Sequence, residues 1–170
     1  MLKWAMAGWL LVIPSAADEP LAAPSDYNAF SLNHRCYAFL DVKNQRTIVF
    51  RQTNPPVRLW DMPGWFRVAS LSDDCAHLVV GFEGGNLLPL DYKQDVVMLR
   101  FFERGRLVRE VKLKELIHDF TRLRRTVSHF YWGYCVGFDE RNRYAVKTVE
   151  GERIIFGPAT GERLPASDGR

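Results

Sequence analysis

The sequence predicts an all-β fold of mostly antiparallel meander sheets with one short amphipathic helix. Three observations predict it. Apolar and polar residues alternate along much of the chain, as in Cys36, Ala38, Leu40 and Val42 against Arg35, Tyr37, Phe39 and Asp41; that is the period of a pleated strand. Breakers recur at short intervals between these runs, at Asn54-Pro55-Pro56, Met62-Pro63-Gly64, Glu83-Gly84-Gly85-Asn86 and Glu150-Gly151-Glu152. Such pairs mark turns, because glycine permits positive φ and proline withholds a ladder donor. Helical spacing is confined to Leu113, Leu116, Ile117, Phe120 and Leu123, a single apolar stripe.

The elements follow in order. After Cys36–Val42, the polar turn Lys43-Asn44-Gln45-Arg46 leads into a β-branched strand over Thr47–Arg51. Val57–Asp61 and Trp65–Leu71 read as further strands. Ser72-Asp73-Asp74-Cys75 is a turn whose Asp side chains bond their own backbone. His77–Phe82 is a Val-rich strand, and Leu87–Asp95 an insertion containing Pro89. Val96–Phe102 and Leu107–Leu113 make a hairpin around Glu103-Arg104-Gly105-Arg106. The helical stripe is expected to dock through Leu116, Ile117 and Phe120. Beyond it, Phe130, Trp132, Tyr134, Val136 and Phe138 alternate with His129, Tyr131, Gly133, Cys135 and Gly137. The small residues of the second set suit close approach by another element. Arg143–Val149 and Arg153–Phe156 complete the strands. Val79, Phe82, Leu99, Val111, Trp132, Val136 and Val146 are the expected core.

The N-terminus reads as a secretory signal peptide over residues 1–17: Lys3, an uncharged apolar run from Trp4 to Pro14, then Ser15-Ala16-Ala17. A run that short falls below the roughly 20 residues of a membrane anchor, so cleavage leaves no stable transmembrane anchor. The competing readings are a buried N-terminal helix and an uncleaved anchor. Residues 18–26 are expected to be a flexible lead-in, 27–164 a single β-rich domain and 165–170 a tail. The expected location is periplasmic or extracellular.

With 47% hydrophobic and 25% charged residues, the composition is that of a globular chain. A net charge of +3 is too small to imply nucleic acid, which export also argues against. The charge is uneven: Arg100–Arg125 holds nine Lys/Arg against four Asp/Glu. Such a stretch suits an anionic envelope component, or simply a solvated face. Cys36, Cys75 and Cys135 allow one disulfide in an oxidising compartment, and spacing does not select the pair. Neither the cysteines nor His34, His77, His118 and His129 have the spacing of a metal site, and no cofactor is implied.

Asn28–Asp61, Trp65–Leu113 and Tyr131–Leu164 each read as one meander, and here the chain resembles β-propeller blades. Ser72-Asp73-Asp74-Cys75 sits where such blades carry a Ser-Pro-Asp-Gly turn. Ile154-Ile155-Phe156-Gly157-Pro158-Ala159-Thr160-Gly161-Glu162 is similar to the third-strand-and-turn phrase of tryptophan–aspartate and quinoprotein-type blades. The resemblance implies propeller-like units and a protein- or ligand-binding scaffold. Closed propellers have about four to eight blades. Three units therefore imply an open or incomplete arrangement, or assembly between chains.

No nucleophile elbow, metalloprotease helix or phosphate loop is present. The expected function is a non-catalytic interaction module for an anionic or protein ligand. Its candidate binding residues are Arg122, Arg124 and Arg125, whose forks suit phosphate or carboxylate; the competing reading of this cluster is helix C-terminal charge that complements the dipole. Trp60, Trp65 and Tyr131 join them as rim aromatics able to stack on a ligand, as Trp132 also is. One alternative is a small hydrolase using His118 or His129. Another is a structural envelope subunit that completes its sheet by oligomerisation.

Overall fold

The computed structural model describes residues 21–165. The signal-peptide reading of residues 1–17 and the tail beyond residue 165 lie outside them. The described chain is three antiparallel meanders and a small fourth sheet. The first unit runs β1 (Tyr27–Phe30), β2 (Cys36–Asp41), β3 (Arg46–Arg51) and β4 (Val57–Pro63), paired in that order. The second comprises β5 (Ala69–Leu71), β6 (His77–Gly81), β8 (Val97–Glu103) and β9 (Arg106–Lys112). Its loop between β6 and β8 contributes β7 (Leu87–Pro89) to the small sheet, whose order is β10 (Arg124–Arg125), β11 (His129–Tyr131), β7. Pro89 thus ends an edge strand, where its missing donor is tolerated. The third unit is β12 (Gly133–Phe138), β13 (Tyr144–Thr148) and β14 (Arg153–Phe156).

The units form an open fan. The first strands come together, β5 touching both β1 and β12. An apolar hollow of about 220 Å³ opens beside them, lined from all three by Phe30, Leu32, Leu71 and Phe138 among others. The middle sheet packs on both sides. Towards the first unit, Leu71, Leu78, Val80 and Phe102 meet Cys36, Ala38, Leu40, Val49 and Met62. Towards the third, Val79, Leu99, Phe101 and Val111 meet Tyr144, Val146, Ile154 and Phe156. Neighbouring Phe101 and Phe102 therefore enter different cores, as alternate residues of one strand must.

Of the expected core, Val79, Leu99, Val111, Trp132 and Val146 are buried, and Phe82 is half-buried against the second core. Val136 is not: it stands 44% exposed. The β12–β13 register slips between Cys135 and Gly137. That bulge makes Val136 the extra residue, so that Phe138 faces inward as Cys135 does. The expected strand from Phe130 to Phe138 also divides. Trp132 separates β11 from β12, its backbone N–H donating to Asn86 O at 3.2 Å and its Nε1 to Gly85 O at 2.8 Å. Gly133 follows with φ of 141°, and a Cβ there would collide with the Lys147 carbonyl. The close approach expected of the small residues is real at this position.

The helix is one α turn, α1 (Leu113–Leu116), and a separate 3-10 turn at Phe120–Arg122. Glu115 Oε1 accepts from Lys112 N at 2.8 Å, holding the start. The helix stops because the Glu150 carboxylate takes the N–H groups of His118 (3.0 Å) and Asp119 (2.9 Å), which a longer helix needs for its own ladder. The apolar stripe still docks: Leu113, Leu116 and Ile117 are buried, and Phe120 stacks on Tyr92 at 6.2 Å. Trp65–Val68 is not strand. Trp65 instead donates from Nε1 to Ser25 O at 3.0 Å and packs edge-on to Tyr27. Asp26 and Leu164 are tied to the fold through Val42 N and Ile155 O.

Candidate binding face

The same turn is built three times, once between the first two strands of each unit. Each turns on a left-handed residue: His34 (φ 56°), Cys75 (φ 63°) and Asn142 (φ 56°). Each of these N–H groups donates back to the residue that opens the turn: Ser31 O at 3.0 Å, Ser72 O at 3.1 Å and Asp139 O at 2.8 Å. The opening side chain then accepts from the N–H that closes the turn: Ser31 from Cys36 at 3.2 Å, Ser72 from His77 at 3.0 Å and Asp139 from Arg143 at 2.9 Å. Ser, Asn and Asp suit this work because a short polar side chain replaces a backbone acceptor.

The three turns are linked in a row. Asp73 Oδ1 accepts from Asn33 N at 2.8 Å, and Asn33 Nδ2 donates to Asp73 O at 3.1 Å. Asp73 N donates to Asn142 Oδ1 at 2.9 Å. A disulfide joins Cys36 to Cys75 with Cα atoms 5.8 Å apart, resolving the pairing that spacing leaves open. Cys135 is the free thiol. Burial pushes its pKa up, against a lowering by Tyr144.

Between the first two turns lies a cleft of about 530 Å³, lined by His34, Arg35, Arg51, Thr53, Asp73 and Asp74 among others. Arg51 reaches it because it stands opposite Cys36 in the β2–β3 register. Burial pushes the Asp74 pKa up. The Ser72 hydroxyl, the Ala76 N–H and His77 outweigh it, so the carboxyl is held below its usual value. Its Oδ2 meets His77 Nδ1 at 2.8 Å. Arg35, Arg51 and Arg104 are exposed and make no ion pair among the described residues. The acids of the cleft are thus satisfied internally while its guanidinium groups are not.

Ser72, Asp74 and His77 have the residue types of a hydrolytic triad but not its wiring. The Ser72 hydroxyl, in a fully buried residue, donates to Asp74 Oδ1 at 2.5 Å, and the imidazole reaches the other oxygen. A triad needs histidine between serine and acid; here aspartate lies between, and the group braces a turn.

The sequence-predicted residues are dispersed. Trp60 belongs to this face: Nε1 donates to Cys75 O at 2.7 Å, and the ring lines a second hollow of about 150 Å³ with Arg51, Asp74 and Arg104. Trp65 is elsewhere, with the Arg67 guanidinium 5.5 Å from its ring centre. Arg122, Arg124 and Arg125 are all exposed, on the 3-10 turn and β10 rather than at a helix C-terminus. Arg124 stands opposite Tyr131 in the β10–β11 register, so these two candidates do meet. Trp132 is wholly buried and cannot stack on a ligand.

The two histidines sit on different elements. His118 is largely exposed, its Nε2 3.7 Å from Glu152 Oε2. His129 Nδ1 lies 2.9 Å from Ser128 Oγ. Neither lines the cleft between the turns. Among the described residues, no group of three or more His, Cys, Asp or Glu is placed to hold a metal, and no helix is long and apolar enough to cross a membrane.

Arg35, Arg51 and Arg104 escape a sequence reading because they flank three separate strands. The available signal is a basic residue beside each end of a Cys-linked pair of turns. Comparison of the chain with family models, curated proteins and solved structures finds no match.

Proposed function

We propose that the protein is an exported, non-catalytic interaction module that binds an anionic group on its turn face. The observation that carries this is the cleft in which Arg35 and Arg51 stand unpaired while Asp73 and Asp74 are bonded within the turns. Unpaired guanidinium forks suit carboxylate, sulfate or phosphate oxygens. The three-part leader and the Cys36–Cys75 bridge support an oxidising, exported location. The cross-linked turns supply a preorganised frame, which lowers the ordering cost of binding.

The test is retention on an immobilised acidic polysaccharide at low salt. Salt should release the protein, since screening reaches in to about 8 Å at physiological strength. The Arg35→Glu/Arg51→Glu variant should lose retention. The Arg122→Glu/Arg124→Glu/Arg125→Glu variant should keep it. The opposite result would move the site to the basic strand beside Tyr131, and a wild-type chain that is not retained at low salt would remove the anionic reading.

A further inference from the structure

The middle sheet is covered on both faces, but the sheets at either end of the fan each keep one bare face. On the first sheet that face carries Phe30, Tyr37, Phe39, Ile48 and Phe50. None of them belongs to either core. Phe30, Tyr37 and Phe50 touch in series, with ring centres 5.6 and 5.3 Å apart. On the third sheet, Tyr144, Val146, Ile154 and Phe156 face inward, so Tyr134, Lys147 and Arg153 face away. Tyr134 is 48% exposed and its neighbour Val136 44%. A contiguous aromatic sheet face is not how a solvated surface is composed, and such patches mark interaction sites.

We infer that two copies of the chain close on each other about a twofold axis. The bare face of the first sheet in each copy seats on the bare face of the third sheet in the other. Three observations select a second copy as the occupant. The three first strands already gather round an apolar hollow open on one side, with Phe30 47% and Leu32 52% exposed on its rim. A second fan would enclose it. Closed rings of such units have about four to eight members, and three from each copy supply six. Both uncovered faces lie on one chain, one at each end, so a twofold closure covers all four at once and leaves none for further growth.

The pairing is between unlike faces. Lys147 and Arg153 are register partners on the third sheet. Packing that face on its own copy would set cations against cations, which is destabilising. The first sheet instead carries both signs at the border of its aromatic residues, where Asp61 pairs with Arg46 and Arg58 and Asp41 stands opposite Arg46, so it sets no excess of cations against Lys147 and Arg153. This surface adjoins the cleft of Arg35 and Arg51 at His34, whose ring lies 5.8 Å from that of Phe30, but the variants that test the two proposals alter different residues, so the two fail independently.

The experiment is the light-scattering mass of the protein expressed from its full sequence and purified as the cell processes it. The expected mass is that of two chains. Ile48→Lys and Val136→Glu should each give single chains with an unchanged strand spectrum. Mixing the two variants should restore pairs, because the mixed pair holds one unaltered contact and one Lys–Glu contact. Phe39→Lys with Tyr134→Glu repeats the test should either first variant misfold. A single-chain mass for the wild type at every concentration overturns the inference. So does loss of pairing on only one of the two faces, which indicates like-with-like association.

Discussion

The middle sheet and the first sheet are both four-stranded meanders, yet they are written differently. In the middle sheet β6 reads Leu78-Val79-Val80-Gly81 and β8 reads Val97-Met98-Leu99 and Phe101-Phe102, nearly unbroken apolar runs. In the first sheet β2 and β3 alternate strictly between buried and half-exposed residues. A sheet covered on both faces needs apolar side chains at every position, whereas a sheet covered once needs them at alternate ones. The first sheet departs from that rule in one respect: its second face is aromatic rather than polar. Strand composition thus follows how many faces each sheet buries within the chain, the aromatic outer face of the first sheet excepted.

The largest effect expected from this contrast is at Phe101. It is fully buried, packs edge-on to Tyr144 at 6.0 Å and lies 5.6 Å from Phe156. Phe101→Ala should cost about 3–5 kcal/mol, through lost burial and the cavity left behind. Phe39→Thr, on the bare face of the first sheet, keeps a strand-favouring residue and should cost under about 1 kcal/mol in dilute protein. Urea midpoints of the two variants measure the difference. Equal losses would mean that the first sheet's outer face is as buried as the middle sheet's.

Next comes the disulfide, which staples the first sheet to the middle one and has no counterpart on the other side. It spans 39 residues, a loop whose closure entropy is about 4 kcal/mol on the chain-entropy account. Replacing both Cys36 and Cys75 by Ala should cost about 2–4 kcal/mol. It should also lower protection from hydrogen exchange across β2 and β3 more than across β13. A uniform loss would show that all three units open together.

Much of this architecture is legible in the sequence, and what is not has identifiable causes. The unbroken runs of β6 and β8, the turns and the apolar stripe from Leu113 to Leu123 all reach the positions that their spacing implies. The helix does not run its expected length because its stop is supplied by Glu150, far along the chain. Val136 faces outward with Tyr134 because the chain changes face at the break between Trp132 and Gly133, and the bulge then returns Phe138 to the core; neither leaves a mark on an alternating pattern. Of the candidate site, Trp60 was visible as a rim aromatic. The pairing of Arg35 with Arg51 depends on β2–β3 register and on which cysteines join, and neither is encoded locally. Arg122, Arg124 and Arg125 read as a helix end only because the stripe overstates the helix.

A smaller effect concerns the turns that join the units. Burial raises the pKa of Asp74 and of Asp139, but hydrogen bonds and the neighbouring His77 and Arg143 charges prevail, so both lie below the usual 3.8. A carboxyl depressed in the folded state contributes stability that is complete above its unfolded pKa. That stability is lost as pH falls from there through the folded value. Stability should therefore be flat in this respect above about pH 5 and decline below about pH 4. Asp74→Asn should flatten part of the decline while lowering stability at pH 7. An unchanged acid limb in Asp74→Asn would place the acid sensitivity elsewhere.

The smallest effect lies where the middle and third sheets meet, at the one polar side-chain atom that burial leaves unsatisfied among the described residues. Tyr144 is wholly buried, and its hydroxyl has Cys135 and Ser70 as polar neighbours, neither in good hydrogen-bonding geometry. Burial is the first cause that holds its pKa well above the ordinary range, with Cys135 adding to it. A desolvated hydroxyl without a partner costs free energy, and removing it restores that cost while the ring keeps its packing on Phe101 and Phe138. Tyr144→Phe should accordingly leave stability unchanged or raise it by up to about 1 kcal/mol. Tyr144→Ala, which empties the ring's place, should cost about 3–5 kcal/mol. Thermal denaturation of the two variants separates hydroxyl from ring. A clear loss in Tyr144→Phe would mean that the hydroxyl has a partner in solution, and that the contact between these sheets is held by polar as well as apolar atoms.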